Sequence, residues 1–371
     1  MAKLNFNSNP THTLGVEIEM GLCDGNTMEL VNGCETLLKR IPEELHTTIK
    51  PELMQCCVEV ISGVCGDVRE VREDLLGKIR QVQSAADSMD MRLWWGSTHP
   101  FSRWENQQVT PTERYMNLLE LLQELARRMI TFGLHVHVGV DSGDKAVMIC
   151  DRIMQYLPLL LALSTSSPYW QTRDTGLHSH RSKLMEGLPT AGLPTLMRNW
   201  SEYVWLVNHM VETGFINTIR EIWWDVRPHH NFGTVEVRVC DMPGDIDSVC
   251  GLAALIQCLV KHLSDEIDEG TYQFDCHPMM VRQNKWRAAR FGSSASLVNT
   301  RDYRVEPVVT IACRLVDELR DVAVDLGCES ELGYVKEIAA RNGWSECQRA
   351  IFQQTNDAAE MVRQLTEQSR V

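Results

Sequence analysis

The chain has 371 residues, 44% of them hydrophobic and 23% charged, with a formal net charge of −14. That length and apolar content suffice for one large domain or two smaller ones. The acidic balance argues against a general nucleic-acid binder, because no basic field covers the chain. It still admits an anionic substrate wherever a bound divalent cation inverts the local field. The 13 cysteines are odd in number, scattered and without a CxxC pair. They read as reduced thiols, mostly small buried hydrophobes, in a cytoplasmic protein. The opening MAKLNFNSNP has no apolar leader core. The longest apolar run, Tyr156–Leu163, contains Pro158 and is too short to span a bilayer, so no membrane partner is expected.

Residues 14–20 (LGVEIEM) alternate apolar and acidic, the period of a half-buried strand. Val68, Val71, Leu75, Leu76, Ile79 and Val82 recur at helical spacing within 67–90. MRLWW (91–95) reads as a strand, and Thr110-Pro111 opens a helix to about Met129. LHVHVGV (134–140) alternates again, and a helix is expected over about 145–163. Residues 164–200, rich in Ser, Thr, Pro and Gly, predict a long irregular segment of the kind that carries function in compact enzymes. A helix over 200–213, strands at 222–227 and 234–240, and a helix over 248–266 capped by Asp247 follow. From about 306 the chain reads as helix only, with breaks near Gly327 and Gly343. The expectation is an α+β fold on a mainly antiparallel sheet. Residues 1–300 form the catalytic domain, and 301–371 a helical extension of it.

Side chains alternate across a strand, so Glu17 and Glu19 share one face, about 7 Å apart by the usual rise. Carboxylates this close repel unless a cation lies between them, and hard Mg²⁺ or Mn²⁺ takes carboxylate oxygens. His135 and His137 share one face of their strand, as do Glu236 and Arg238 in TVEVRVC. In PELMQCCVEV, Glu59 falls on the polar face, with Val58 and Val60 turned to the core; Glu52 alternates less cleanly. Taken singly, each strand is more commonly a solvated face or an ion pair. On one sheet they would line a cavity with acids, imidazoles and an arginine, the composition that phosphoryl transfer needs. Arg227 before Pro228, Arg181 in HSHRSKL and Arg114 in ERYMNLL are further candidates, each equally readable as a packing or surface arginine. Neither GxxxxGK[ST] nor GxGxxG occurs.

LGVEIEM, ELMQCCVEVISGVC, STHPF, RYMNLL, FGLHVHVGV, ALSTSSPYW, WWDVRPHHNFGTVEVRVCD and KWRAARFG occur in that order over most of residues 13–292. In these blocks the chain resembles the carboxylate-amine ligase family, also called glutamate-cysteine ligase type 2. The resemblance implies a glutamine synthetase-like fold: a curved, mainly antiparallel sheet with helices outside. It also implies ATP-dependent ligation with Mg²⁺ or Mn²⁺, in which the γ-phosphoryl activates a carboxylate and an amine displaces it as an amide. Glutamate, and cysteine or another small amine, are the implied substrates. Matched residue by residue, it implies Glu17, Glu19, Glu52, Glu59, His135 and Glu236 as metal ligands and Arg238 and Arg227 as phosphate-holding residues, with His137 in support. It leans towards a homodimer. Thr165 in ALSTSSP, the Cys56-Cys57 pair and the extra His229 and His230 depart from the family pattern and bear on the amine more than on the reaction.

Overall fold

The computed structural model describes residues 4–271, 276–300, 302–341 and 343–371. Residues 1–3, at the head of the segment read for a leader, lie outside them. The strands are β1 Leu14–Asp24, β2 Ile49–Pro51, β3 Cys57–Ile61, β4 Met91–Trp94, β5 Leu134–Gly139, β6 Tyr169–Trp170, β7 Arg173–Asp174, β8 Val226–His229, β9 Thr234–Val237, β10 Ser296–Val298 and β11 Val305–Pro307. Seven of them form one sheet in the order β2-β3-β1-β5-β9-β8, with β4 on the far end of β1. All its ladders are antiparallel.

The sheet forms where alternation was strongest. Leu14, Val16, Ile18 and Met20 of β1 are buried on one face, as are Val58 and Val60 of β3, Val136 and Val138 of β5, and Val235 and Val237 of β9. Each contributes about 1.5–3 kcal/mol by leaving water. Register then aligns the opposite face in rows. Lys50, Glu59 and Glu19 are successive partners, as are Ile61, Glu17 and His135, and Arg227, Glu236 and His137.

The helices are α1 Cys34–Leu38, α2 Val68–Asp87, α3 Glu113–Leu122, α4 Glu124–Arg127, α5 Gly143–Ile153, α6 Leu157–Ser164, α7 Arg181–Met185, α8 Trp200–Glu212, α9 Ile246–Asp268, α10 Pro278–Phe291, α11 Val308–Glu318, α12 Arg320–Leu326, α13 Glu329–Ala340, α14 Trp344–Thr355 and α15 Ala358–Gln368. Several expected boundaries move. The helix expected to Met129 breaks at Gln123, whose φ of +50° no α-helix accommodates. The helix expected over 145–163 is two, α5 and α6, bent by 66°, because Pro158 opens α6 and cannot donate to the turn before it. The cap of α9 is Asp245, not Asp247. Asp245 is extended and its carboxylate accepts from Ser248 N–H (2.5 Å), while Asp247 lies in the first turn, where its charge suits the helix dipole. The strand expected at 222–227 starts later, after the turn Ile219–Glu221, and the helical tail is preceded by the β10–β11 hairpin. Residues 164–200 are irregular apart from the short β6–β7 ribbon and α7.

Helix α9 is the core helix. Its composition and length would allow a membrane span, but 78% of that apolar window is buried within this fold. The C-terminal helices join the same core: Leu332, Val335 and Ile338 of α13 and Met361, Val362 and Leu365 of α15 pack in one cluster with the apolar face of β1. Polar ties add to this. Arg370 pairs with both oxygens of Asp87 (3.0 and 2.6 Å), and Gln348 donates to the Ser166 carbonyl (2.7 Å).

Candidate active site

The polar face of the sheet floors a cavity of about 330 Å³, within the range of small-molecule sites. Glu17, Glu19, Glu52, Glu59, His135, His137, Glu236, Arg227, Arg238, Arg181 and Arg114 all line it. They divide into two groups on either side of β1.

On one side stand Glu17, His135 and Glu236, each with a ligand atom within 4.8 Å of the others. Glu17 Oε2 lies 3.3 Å from His135 Nδ1, and Glu17 Oε1 lies 3.4 Å from His137 Nε2. His137 Nδ1 meets Thr234 Oγ1 at 3.0 Å. Burial raises the Glu17 carboxyl, but the hydrogen bonds from His135 and His137 outweigh it and hold the group well below the usual range. His135 is pushed down to about 4, by burial first and then by Arg238, so its ring is neutral near pH 7. A neutral ring with its Nδ1 proton on Glu17 keeps a lone pair on Nε2, the form that binds metals. His137 goes the other way: burial lowers it, but Glu236 and Glu17 raise it.

Glu236, 1% exposed, is clamped by arginines. Arg227 donates from Nε to Oε2 (2.7 Å) and from Nη2 to Oε1 (3.3 Å), and Arg238 donates from Nη1 to Oε1. Arg227 commits Nη1 as well, to the carbonyls of Ile222 (2.6 Å) and Ile219 (3.3 Å). It therefore sits as a brace between β8 and the preceding turn. Arg238 is paired through Nη1 alone among the described residues and also lines the cavity.

On the other side, Glu19, Glu52 and Glu59 bring carboxylate oxygens within 4.8 Å of one another. Glu19 is pushed up to about 8, by burial and then by the charge of Glu52. Glu59 is raised well above its usual range by burial, Glu52, Glu17 and Glu19. Glu52 lies in the turn after β2, where its carboxylate accepts from Leu53 N–H (2.8 Å) and Tyr115 Oη–H (3.3 Å). Three crowded carboxylates, two of them shifted upward by burial and mutual repulsion, are a donor set for a hard divalent cation. Glu17, His135 and Glu236 form a mixed oxygen and nitrogen set of the same kind.

Arg181, expected in a loop, is instead the first residue of α7 and 4% exposed. Its guanidinium lies over Gly133, where a Cβ would come within 2.3 Å of Nη2. Gly133 N–H in turn donates to Glu19 Oε2 (2.7 Å). Arg181 Nη1 meets the Val239 carbonyl at 3.4 Å and pairs with Asp241 Oδ1 at 3.8 Å, Nη2 meets the Arg238 carbonyl at 3.3 Å, and the buried Nε has no protein partner among the described residues. Arg114 is exposed on the rim and stacks over Tyr115 at 5.3 Å.

Several supporting residues were missed. Asp241, fully buried, accepts from Ser166 N–H (3.0 Å), Ser167 Oγ (2.7 Å) and Ser179 Oγ (2.8 Å). This knot fastens the serine-rich segment that leads into Arg181. Lys285 of α10 is buried against Asp225 (2.5 Å) and Glu186 (2.9 Å), beneath the start of β8. Lys50 and Tyr115 also line the cavity. The motifs ALSTSSP, RVCD and KWRAARFG held Ser166, Ser167, Asp241 and Lys285, but only the fold pairs them across the chain.

Residues 13–368 match the family described as glutamate-cysteine ligase family 2. A relative from Gloeobacter violaceus, provisionally named glutamate–cysteine ligase 2, is 39% identical over 367 residues, 97% of each chain. One from Thermobifida fusca under the same provisional name is 38% identical, covering 99% of this chain and 93% of its own. Among solved structures, a glutamate–cysteine ligase from Francisella tularensis in complex with AMP superposes with a TM-score of 0.72 at 14% identity, over 98% of this chain and 90% of that one. A bifunctional glutathione synthetase from Pasteurella multocida gives 0.68 at 14% identity, over 96% of this chain and 52% of that one.

Proposed function

Since this chain belongs to glutamate-cysteine ligase family 2, with a fold of the glutamine synthetase-like type, we propose that it is an ATP-dependent carboxylate–amine ligase acting through an acyl phosphate. Glutamate or a related amino acid is the carboxylate, and cysteine or another small amine is the acceptor. The observation that carries this reading is the pairing of two ligand triplets, one either side of β1, with Arg238 in the same cavity. Phosphoryl transfer asks for positioning and charge neutralisation above all, and the cavity offers both.

The residues present fit divalent cations. Glu17, His135 and Glu236 would hold one and Glu19, Glu52 and Glu59 another. Such cations, when bound, neutralise polyphosphate charge and polarise the transferred group. The chain's own residues do the rest. Arg238, unpaired apart from Nη1, neutralises charge on the transferring phosphoryl, and Glu236 fixes its orientation. Arg227 holds Glu236 in turn. Arg181, beside Glu19 in the cavity wall, offers its guanidinium to a substrate carboxylate, and Arg114 closes the rim. The γ-phosphoryl moves from ATP to the carboxylate oxygen and ADP leaves. The amine nitrogen then attacks the acyl carbon, phosphate leaves, and the nitrogen gives up its proton.

The test is an ADP-release screen crossing several acids with several amines in Mg²⁺ or Mn²⁺, followed by mass analysis. An amide with ADP and phosphate in equal amounts is expected. A phosphorylated substrate without amide would instead make the protein a phosphotransferase of the guanidino-kinase type. ATP turnover with no pair would leave a nucleotide- or metal-binding regulator.

A further inference from the structure

The side of the sheet that carries the acids also carries an apolar cluster separate from the main core. Leu122, Ala126 and Leu188 are buried in it, and Leu118, Met129, Met185 and Trp223 pack around them half-buried. These same side chains line the cavity. An apolar shelf on the polar face of a sheet is unusual, since the core lies on the other face. Apolar walls with a few convergent polar groups are what a ligand site presents.

The shelf belongs to the flank of Glu19, Glu52 and Glu59. It starts at α3, where Tyr115, one helical turn before Leu118, donates to Glu52. Its other wall starts at Arg181, which lies against Gly133 beside Glu19 and is followed by Met185 and Leu188 at steps of four and three. A carboxylate held by Arg181, whose guanidinium lines the cavity, would therefore have its substituent directed along Met185 and Leu188, against Leu118 and Leu122. The opposite flank is different. There His229 and Phe232 stack face to face at 4.2 Å with 14° between the rings, and Phe232 is 59% exposed. That flat aromatic face, beside Glu17 and Glu236, suits a nucleotide base better than the shelf does.

We propose that one of the two amino acids this ligase joins carries a branched or long apolar side chain, seated on the Leu118–Leu122–Met185–Leu188 shelf with its α-carboxylate on Arg181. The inference rests on the ligase reading and names its substrate class: an α-amino acid such as leucine, methionine or phenylalanine, in place of a small polar one. Each methylene lost from such a pocket costs about 10-fold or more in discrimination.

The experiment has two arms, both on the full-length protein. In the first, ADP release is measured with leucine, methionine, phenylalanine, cysteine, serine and alanine, each offered as acceptor to glutamate and as donor to cysteine. The apolar set is expected to exceed serine and alanine by at least 10-fold in kcat/KM in one of the two roles. The Met185→Lys variant should lose that preference 10-fold while KM for ATP changes less than twofold. In the second arm, the rise in Tm with leucine or serine is measured without ATP, for the wild type and for Met185→Lys. Leucine alone should raise Tm, and only in the wild type. Preference for serine or alanine, or a Met185→Lys variant that raises KM for ATP, overturns the shelf assignment and leaves the ligase reading standing. Turnover with no pair overturns the ligase reading, and the Tm arm then decides the shelf by itself.

Discussion

Glu17 and Glu236 both count as ligand candidates, yet their surroundings separate them. Glu17 is held by two imidazoles, and Glu236 by two guanidinium groups. Glu17→Gln should therefore cut metal-dependent turnover about 100-fold with little change in Tm, because only a ligand oxygen is lost. Glu236→Gln should also destabilise the fold by about 3 kcal/mol in a urea titration, because it leaves buried arginine charges unpaired. Equal stability of the two variants would sink the clamp as described. Glu19 makes a pH prediction. Its carboxyl titrates near 8 in the folded chain against an ordinary 4.5, so the folded state keeps a proton that the unfolded chain releases. Metal-free protein should thus lose stability as pH rises from about 4.5 to 8. Glu17 and Glu236, shifted down, act oppositely: their stability is present above the ordinary carboxylate range and is lost as pH falls below it. Added Mg²⁺ should raise Tm more at pH 8 than at pH 6, since binding there displaces fewer protons. A scanning-fluorimetry series with EDTA or Mg²⁺ checks this, and an equal Mg²⁺ effect at both pH values would argue against metal at this triplet.

At the scale of elements, strands were legible and their neighbours less so. Period-two alternation in β1, β5 and β9 marks both the core face and the cavity face, because burying Val and Ile on one side fixes where Glu and His point. Glu52 resisted that reading because it stands in a turn, held by Tyr115 from 63 residues away. Asp241 and its serines are joined over 62 to 75 residues, and no local pattern encodes such a pairing. Arg227 meets Glu236 only through the β8–β9 register. Helix ends failed where two acids competed for one cap. The outcome at α9 can be measured: Asp245→Ala should cost about 1–2 kcal/mol, through the lost cap. Asp247→Ala should cost under about 1 kcal/mol, because its pair with Arg72 is partly exposed. Reversed costs in denaturant titrations would return the cap to Asp247.

At the scale of the molecule, the last 70 or so residues are not an appendage in this fold. Met361 and Val362 share a core with Leu14 and Val16, and Arg370 ties to Asp87. Calorimetry should therefore record one cooperative transition for the whole chain, and removal of residues 301–371 should yield insoluble or unfolded protein. Two separate transitions, or a folded, metal-binding fragment 1–300, would divide the chain into units. Strand β1 has a wider consequence. Both triplets take a member from it, Glu17 and Glu19, with the buried Ile18 between them. The shelf, by contrast, comes from α3, α4 and the stretch through Leu188. If the triplets hold the metals and the shelf seats a substrate, then what the enzyme does and what it does it to lie on different stretches of chain. On that reading, exchanging shelf residues such as Met185 would change the metabolite, while a three-residue ruler, Glu17 to Glu19, keeps the chemistry in place.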